Sequence, residues 1–219
     1  MGTVNAKGLR PGLYAITDGK LLPPDRLVPA VEAALRGGAT LVQYREKSLP
    51  HAERLRLSSN LVAACRNAGV PLIINDDPQL AKRVAAGGVH MGQSDGSLAS
   101  ARRLLGDDAI LGATCHASLD LAAEAIESSA DYLAFGRFFS SGTKPDAPSA
   151  EPGILGEARA FEKPVTAIGG ITLDNGESLI RAGADLLAVV GGLFDGDDTV
   201  IEDRARQFTR LFAAHHPLF

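Results

Sequence analysis

The sequence predicts an α/β fold, a single (β/α)8 TIM barrel running as one domain over residues 1–219. Short β-branched runs alternate with longer amphipathic, Ala/Leu/Arg-rich segments from end to end. The runs are apolar on both faces, as in LVQY, PLII and LLAVV, so each strand must be covered on both sides, as in a parallel sheet. They recur about every 27 residues to give eight strand–helix units, and no GxGxxG turn follows the first, where LYAITDGK stands. Both features favour a closed barrel over an open doubly wound sheet.

In chain order the strands are expected at Leu13–Thr17, Thr40–Arg45, Pro71–Asn75, Gly88–Met91, Ala109–Thr114, Tyr132–Gly136, Pro164–Ile168 and Leu186–Val190. Helical periodicity occupies the intervals, for example Asp25–Arg36, Ala52–Ala68, Gln79–Ala86, Leu98–Leu105 and Leu119–Ser128. Gly37–Gly38, Gly69, Gly87–Gly88 and Gly183 stand where helices should stop and strands begin. One long loop rich in structure breakers interrupts this rhythm, SSGTKPDAPSA over Ser140–Ala150.

The composition narrows the partners. Lys+Arg number 22 against 26 Asp+Glu, and no basic block stands out, which argues against nucleic acid or an anionic membrane as partner. No apolar stretch approaches the roughly 20 residues that span a bilayer, and the N-terminus lacks a signal-peptide run. Cys65 and Cys115 are too few and too far apart for a disulfide scaffold and fit a reducing cytoplasm. The sequence leaves both a monomer and a homo-oligomer open.

Barrel enzymes carry their chemistry on the loops at the carboxyl ends of the strands. That edge gathers Gln43-Tyr44-Arg45-Glu46-Lys47, Asn75-Asp76-Asp77, Gln93, Asp95, Thr114, His116, Ser141-Gly142-Thr143-Lys144, Gly169-Gly170 and Gly191-Gly192. Arg45, Lys47 and Lys144 supply donors for anionic substrate oxygens. Carboxylates beside a bound anion call for a divalent cation between them, and Asp76 and Asp95 on adjacent strand ends are the natural ligands for Mg²⁺ with a pyrophosphate. The two glycine pairs suit a second phosphate, bound through bare backbone N–H groups. Two anion sites on one rim suggest that two phosphorylated substrates are joined. Asp77, before Pro78, reads as a helix N-cap. His90 reads as a satisfied strand histidine, and His51, His215 and His216 as surface residues. Cys115 beside His116 has no base–orienter pair that would make it a nucleophile.

Taken together, VQYREK (Val42–Lys47), IINDD (Ile73–Asp77), GVHMGQSD (Gly88–Asp95), GATCH (Gly112–His116), FGRFFSSGTK (Phe135–Lys144) and AIGGI (Ala167–Ile171) resemble the thiamine phosphate synthase family. The resemblance runs from LYAITDG to AVVGGLF. It implies a (β/α)8 barrel that uses Mg²⁺ to join hydroxymethylpyrimidine pyrophosphate to a thiazole phosphate, releasing pyrophosphate. It also implies that Gln43, Arg45 and Lys47, helped by Asn75, meet the pyrimidine substrate and its pyrophosphate, with Tyr44, Glu46 and Gly142 counted among the binding residues. Thr114, where the family usually has Ser, and Lys144 would also face the pyrophosphate. Asp76 and Asp95 would hold the metal. Ser141 and Thr143, matching a Thr-x-Thr, would contact the thiazole phosphate with Gly170, Val190 and Gly191. The chain departs from the pattern at Arg137 and Ser140, where many members have Pro, and at Gly191, often Ser. A thiazole tautomerase on the same fold would need neither the clamp nor the metal pair, and a non-catalytic binder of phosphorylated thiazole would need no metal carboxylates.

Overall fold

The computed structural model describes residues 7–140 and 149–219. Among these, eight strands close into a barrel: β1 (Gly12–Ile16), β2 (Leu41–Tyr44), β3 (Leu72–Asn75), β4 (Gly88–Met91), β5 (Ile110–His116), β6 (Tyr132–Phe135), β7 (Val165–Ile168) and β8 (Leu186–Val189). They pair in sequence order and in parallel, and β8 returns to β1 through Leu13–Leu187 and Ala15–Val189. Helices cover the outside: α1 (Pro24–Arg36), α2 (His51–Asn67), α3 (Pro78–Val84), α4 (Leu98–Leu105), α5 (Leu119–Glu127), α6 (Gly153–Ala158) and α7 (Leu173–Ala182). After β8 come a single turn, α8 (Gly191–Phe194), and the long α9 (Asp198–His215), which packs between α1 and α7. Every expected strand is present, with ends shifted by no more than two residues.

Side-chain alternation along each strand sorts the core into two layers. Leu13, Ala15, Val42, Leu72, Ile74, Val89, Leu111, Leu133, Phe135, Leu187 and Val189 point outward and pack beneath the helices. Tyr14, Ile16, Leu41, Ile73, Ile110, Tyr132, Leu186 and Ala188 fill the barrel interior. Helix starts are fixed locally. The Asp77 carboxylate accepts the Leu80 N–H at 2.9 Å, as the sequence predicts, and Ser118 and Asp197 do the same for α5 and α9.

The amino end of the barrel is closed by charge. Asp131 is buried and accepts from Lys7 Nζ at 2.9 Å, from Arg102 at 2.7 Å and from the Leu111 N–H at 2.8 Å. His51 is exposed and His215 half-buried, but His216 is not a surface residue. The chain turns back after α9, setting the His216 ring against Phe212 at a tilt of 47° and its Nε2 3.1 Å from Asp185. A polar ring in that corner is paid for by its carboxylate partner. Among the described residues no helix is long and apolar enough to cross a membrane.

Candidate active site

At the carboxyl ends of the strands lies a cavity of about 780 Å³. Its wall rises from the inward positions of the barrel: Tyr14 and Ile16 of β1, Gln43 of β2, Asn75 of β3, His90 of β4 and Thr114 of β5. Ala134 of β6, Thr166 and Ile168 of β7 and Ala188 of β8 complete it, and these smaller side chains leave the interior open there.

The rim on the β1–β4 side is charged. Asp18, nearly buried, holds Arg45 by an ion pair of 3.1 Å, while Thr17 Oγ1 accepts the Arg45 backbone N–H at 3.0 Å. Both contacts fix where the guanidinium leaves the strand. Lys47 Nζ lies 2.9 Å from Asp76 Oδ2. Asp76 adopts the left-handed backbone (φ 61°), which turns its carboxyl back over the strand end toward Asp95. The two carboxyls lie side by side on the rim, close enough for each to shift the other's ionisation, and the Gly92 N–H donates to Asp95 Oδ2 at 2.9 Å. Burial works against ionisation of Asp76, but Lys47 and Asp95 outweigh it and hold its pKa below the ordinary carboxylate value. Burial and the adjacent Asp76 push Asp95 the other way, above its ordinary value. One proton between two acids is the expected compromise for like charges at close range.

On the β6–β8 side the rim carries Arg137 after β6, and glycine backbone forms the turns after β7 and β8. Gly169 and Gly170 carry φ of 106° and 65°, and a β-carbon on either would collide with Arg137 or with the Ser140 carbonyl. The turn therefore accepts only glycine, and it lets the segment after β6 lie directly on the segment after β7. Gly191, by contrast, faces open space.

A sequence profile of the family described as thiamine monophosphate synthase matches residues 13–193. The chain belongs to that family. It is 62% identical over 219 residues to thiamine-phosphate synthase of Marinobacter nauticus, covering all of this chain and 98% of that relative. Its backbone matches thiamine phosphate pyrophosphorylase from Pyrococcus furiosus with a TM-score of 0.83 at 30% identity, covering 93% of this chain and 96% of the other. The corresponding protein from Bacteroides thetaiotaomicron, at 17% identity and a TM-score of 0.69, covers 94% of this chain and 99% of its own, and shares the fold. As a member of the thiamine monophosphate synthase family the chain is an enzyme, a transferase of thiamine biosynthesis.

Of the residues that the sequence names for this synthase-family site, Gln43, Arg45, Lys47, Asn75, Asp76, Asp95, Thr114, Gly170, Val190 and Gly191 line the one cavity. Tyr44 and Glu46 do not. Strand alternation turns Tyr44 outward beneath the helices, where its hydroxyl is buried without a partner among the described residues. Glu46 bends away to accept from the Ser48 and Leu49 N–H groups at 2.6 and 3.2 Å and shapes the entry to α2. Burial opposes its charge, but these bonds and the Ser48 hydroxyl hold its carboxyl below the usual range. Ser141, Gly142, Thr143 and Lys144 lie outside the described residues. Cys115 is fully buried on the outward face, where burial pushes its thiol up to about 12, so it takes no part in the cavity.

The cavity also contains Tyr14, Asp18, Lys20 and Thr166, which the sequence does not single out, and it takes in His90, expected only as a satisfied strand histidine, and Arg137, expected only as a departure from the family pattern. The TDG after the first strand carries the signal for Asp18, a carboxylate two residues past the apolar run LYAI. Tyr14 and Thr166 sit mid-strand, and nothing but the inward parity of their strands marks them.

Proposed function

We propose that this transferase joins hydroxymethylpyrimidine pyrophosphate and a hydroxyethylthiazole phosphate to give thiamine phosphate and pyrophosphate, by a dissociative substitution assisted by Mg²⁺. The observation that carries the reading is the Asp76–Asp95 pair beside Lys47 and Arg45 on a single rim. Two carboxyls close enough to share a proton are close enough to share a divalent ion, and Mg²⁺ commonly takes one or two carboxylates, with phosphate oxygens and water for the rest. When bound, the ion would neutralise charge on the pyrophosphate.

The chain's own groups account for the remainder. Arg45, aimed by Asp18, and Lys47 donate to the pyrophosphate oxygens, joined by Lys144 on the strength of the family motif. The bond between the pyrimidine methylene carbon and the pyrophosphate oxygen breaks, and its electron pair leaves with that oxygen. Ring conjugation spreads the positive charge left on carbon. The lone pair of the thiazole nitrogen then forms the new C–N bond. That nitrogen carries no proton to remove, so the new bond forms without a general base. Gln43, on the cavity wall, is suited to hydrogen-bond the pyrimidine, and the glycine turns after β7 and β8 offer N–H groups to the thiazole phosphate. The free, buried thiols of Cys65 and Cys115 support a cytoplasmic setting.

The test is product formation. Purified protein given both substrates and Mg²⁺ is expected to make thiamine phosphate and pyrophosphate in equal amounts. Binding of the thiazole phosphate with no condensation would mark a binder instead, and isomerisation of a thiazole substrate alone would mark a tautomerase.

A further inference from the structure

We propose that a chain of hydrogen bonds across the barrel interior, Gln43–Tyr14–Tyr132–His90–Thr114, is a polarity relay that holds His90 in its Nε2–H tautomer and turns the Thr114 hydroxyl proton into the cavity, toward an anionic phosphate oxygen. Tyr14, Tyr132 and His90 then act as positioning residues for Thr114. The role given to the proton rests on the function proposed above; the relay itself does not.

The links are short. Gln43 Nε2 donates to the Tyr14 hydroxyl at 2.6 Å, and the Tyr14 and Tyr132 hydroxyls are 2.7 Å apart. Tyr132 lies 2.9 Å from His90 Nδ1, and His90 Nε2 lies 2.9 Å from Thr114 Oγ1. All but Thr114 are buried. Burial keeps both phenols protonated well beyond the ordinary tyrosine range, so each has a single proton to give. An amide nitrogen can only donate. Tyr14 accepts from Gln43, and the relay assigns the Tyr14 proton to Tyr132 and the Tyr132 proton to His90 Nδ1; the reverse order, with Tyr14 accepting from both neighbours and its own proton turned into the cavity, would put the imidazole proton on Nδ1. In the proposed order the imidazole proton is confined to Nε2, which donates to Thr114. With one lone pair occupied from that side, the threonine proton faces the cavity that Thr114 lines. The opposite direction would offer an anion only lone pairs. The Tyr132 ring, stacked on His90 at 5.5 Å and 27°, holds the imidazole plane in place.

A merely space-filling role for these side chains makes no demand on the tautomer, so the tautomer is the readout. In the full chain labelled with ¹⁵N-histidine, with His90 assigned by difference against His90→Asn, Nδ1 is expected to resonate as an acceptor and Nε2 as protonated. In Tyr14→Phe, altered two hydrogen bonds away from the ring, the signal should move to a mixture of tautomers. The kcat/KM for the pyrimidine pyrophosphate should fall about tenfold, as loss of one donor to a charged oxygen would produce, with the KM for the thiazole phosphate unchanged. Tyr132→Phe should do the same; if it fails to fold, the wild-type spectrum and Tyr14→Phe still decide. An Nδ1–H or doubly protonated His90 in the wild type, or a tautomer unmoved in folded Tyr14→Phe, would overturn the relay. A wild type that makes no thiamine phosphate would overturn the proposed function instead, leaving the imidazole signal to judge the relay alone.

Discussion

Asp76→Asn and Asp95→Asn should each lower turnover by about 100-fold or more, the range seen when one preorganised electrostatic contact to developing charge is removed, about 2.7–4 kcal/mol. Asparagine is the informative replacement at Asp76, because it tolerates the left-handed backbone (φ 61°) that alanine would strain. The two carboxyls shift each other's ionisation and are proposed to act through one ion, so their losses should not multiply. The double variant is expected to fall no more than a few-fold below the worse single one. Single-turnover kinetics at saturating substrates measures all three. Independent, multiplying losses would mean that the carboxylates do separate jobs, and near-normal turnover in either single variant would remove the pair from the mechanism.

The largest stability effect is expected at the other end of the barrel. Asp131→Ala would leave Lys7, Arg102 and the Leu111 N–H without the carboxylate that each contacts. Breaking a buried ion pair by removing one partner costs roughly 3–5 kcal/mol. For a chain of this size that lowers Tm by about 6–20 °C, at 2–4 °C for each kcal/mol. Since Asp131 lies away from the cavity lining, kcat and KM well below the transition should stay near wild type. Thermal unfolding beside activity at low temperature separates the two quantities. A variant with normal Tm, or a stable one with lost activity, would contradict this division of the barrel into a stabilising end and a chemical end.

The barrel was legible because each strand is apolar on both faces and each helix is not, a contrast that survives without any long-range information. The rim was legible for a related reason: in this fold a polar residue just past a strand end has one place to go. Tyr44 shows where that logic fails. It lies between Gln43 and Arg45, both of which face the cavity, yet period-two alternation sends it outward. The parity of the strand, not the position of the loop, decides which of its residues face the cavity. Glu46 bonds the next N–H groups along the chain, and in sequence such a carboxylate looks like one offered to a ligand. His90 is a satisfied histidine, as the sequence suggests, but its partners, Tyr132 and Thr114, come from strands 42 and 24 residues away. No local pattern records such pairings. The same holds for His216, whose burial depends on Asp185 across the closed end of the barrel.

Isothermal calorimetry of inorganic pyrophosphate binding tests the central claim most directly. The account predicts that wild-type protein binds pyrophosphate with Mg²⁺ present, that chelation with EDTA weakens binding at least about tenfold, a change of 1.4 kcal/mol, and that Asp95→Asn abolishes the metal dependence. Equal affinity with and without the ion, unchanged in Asp95→Asn, would contradict it.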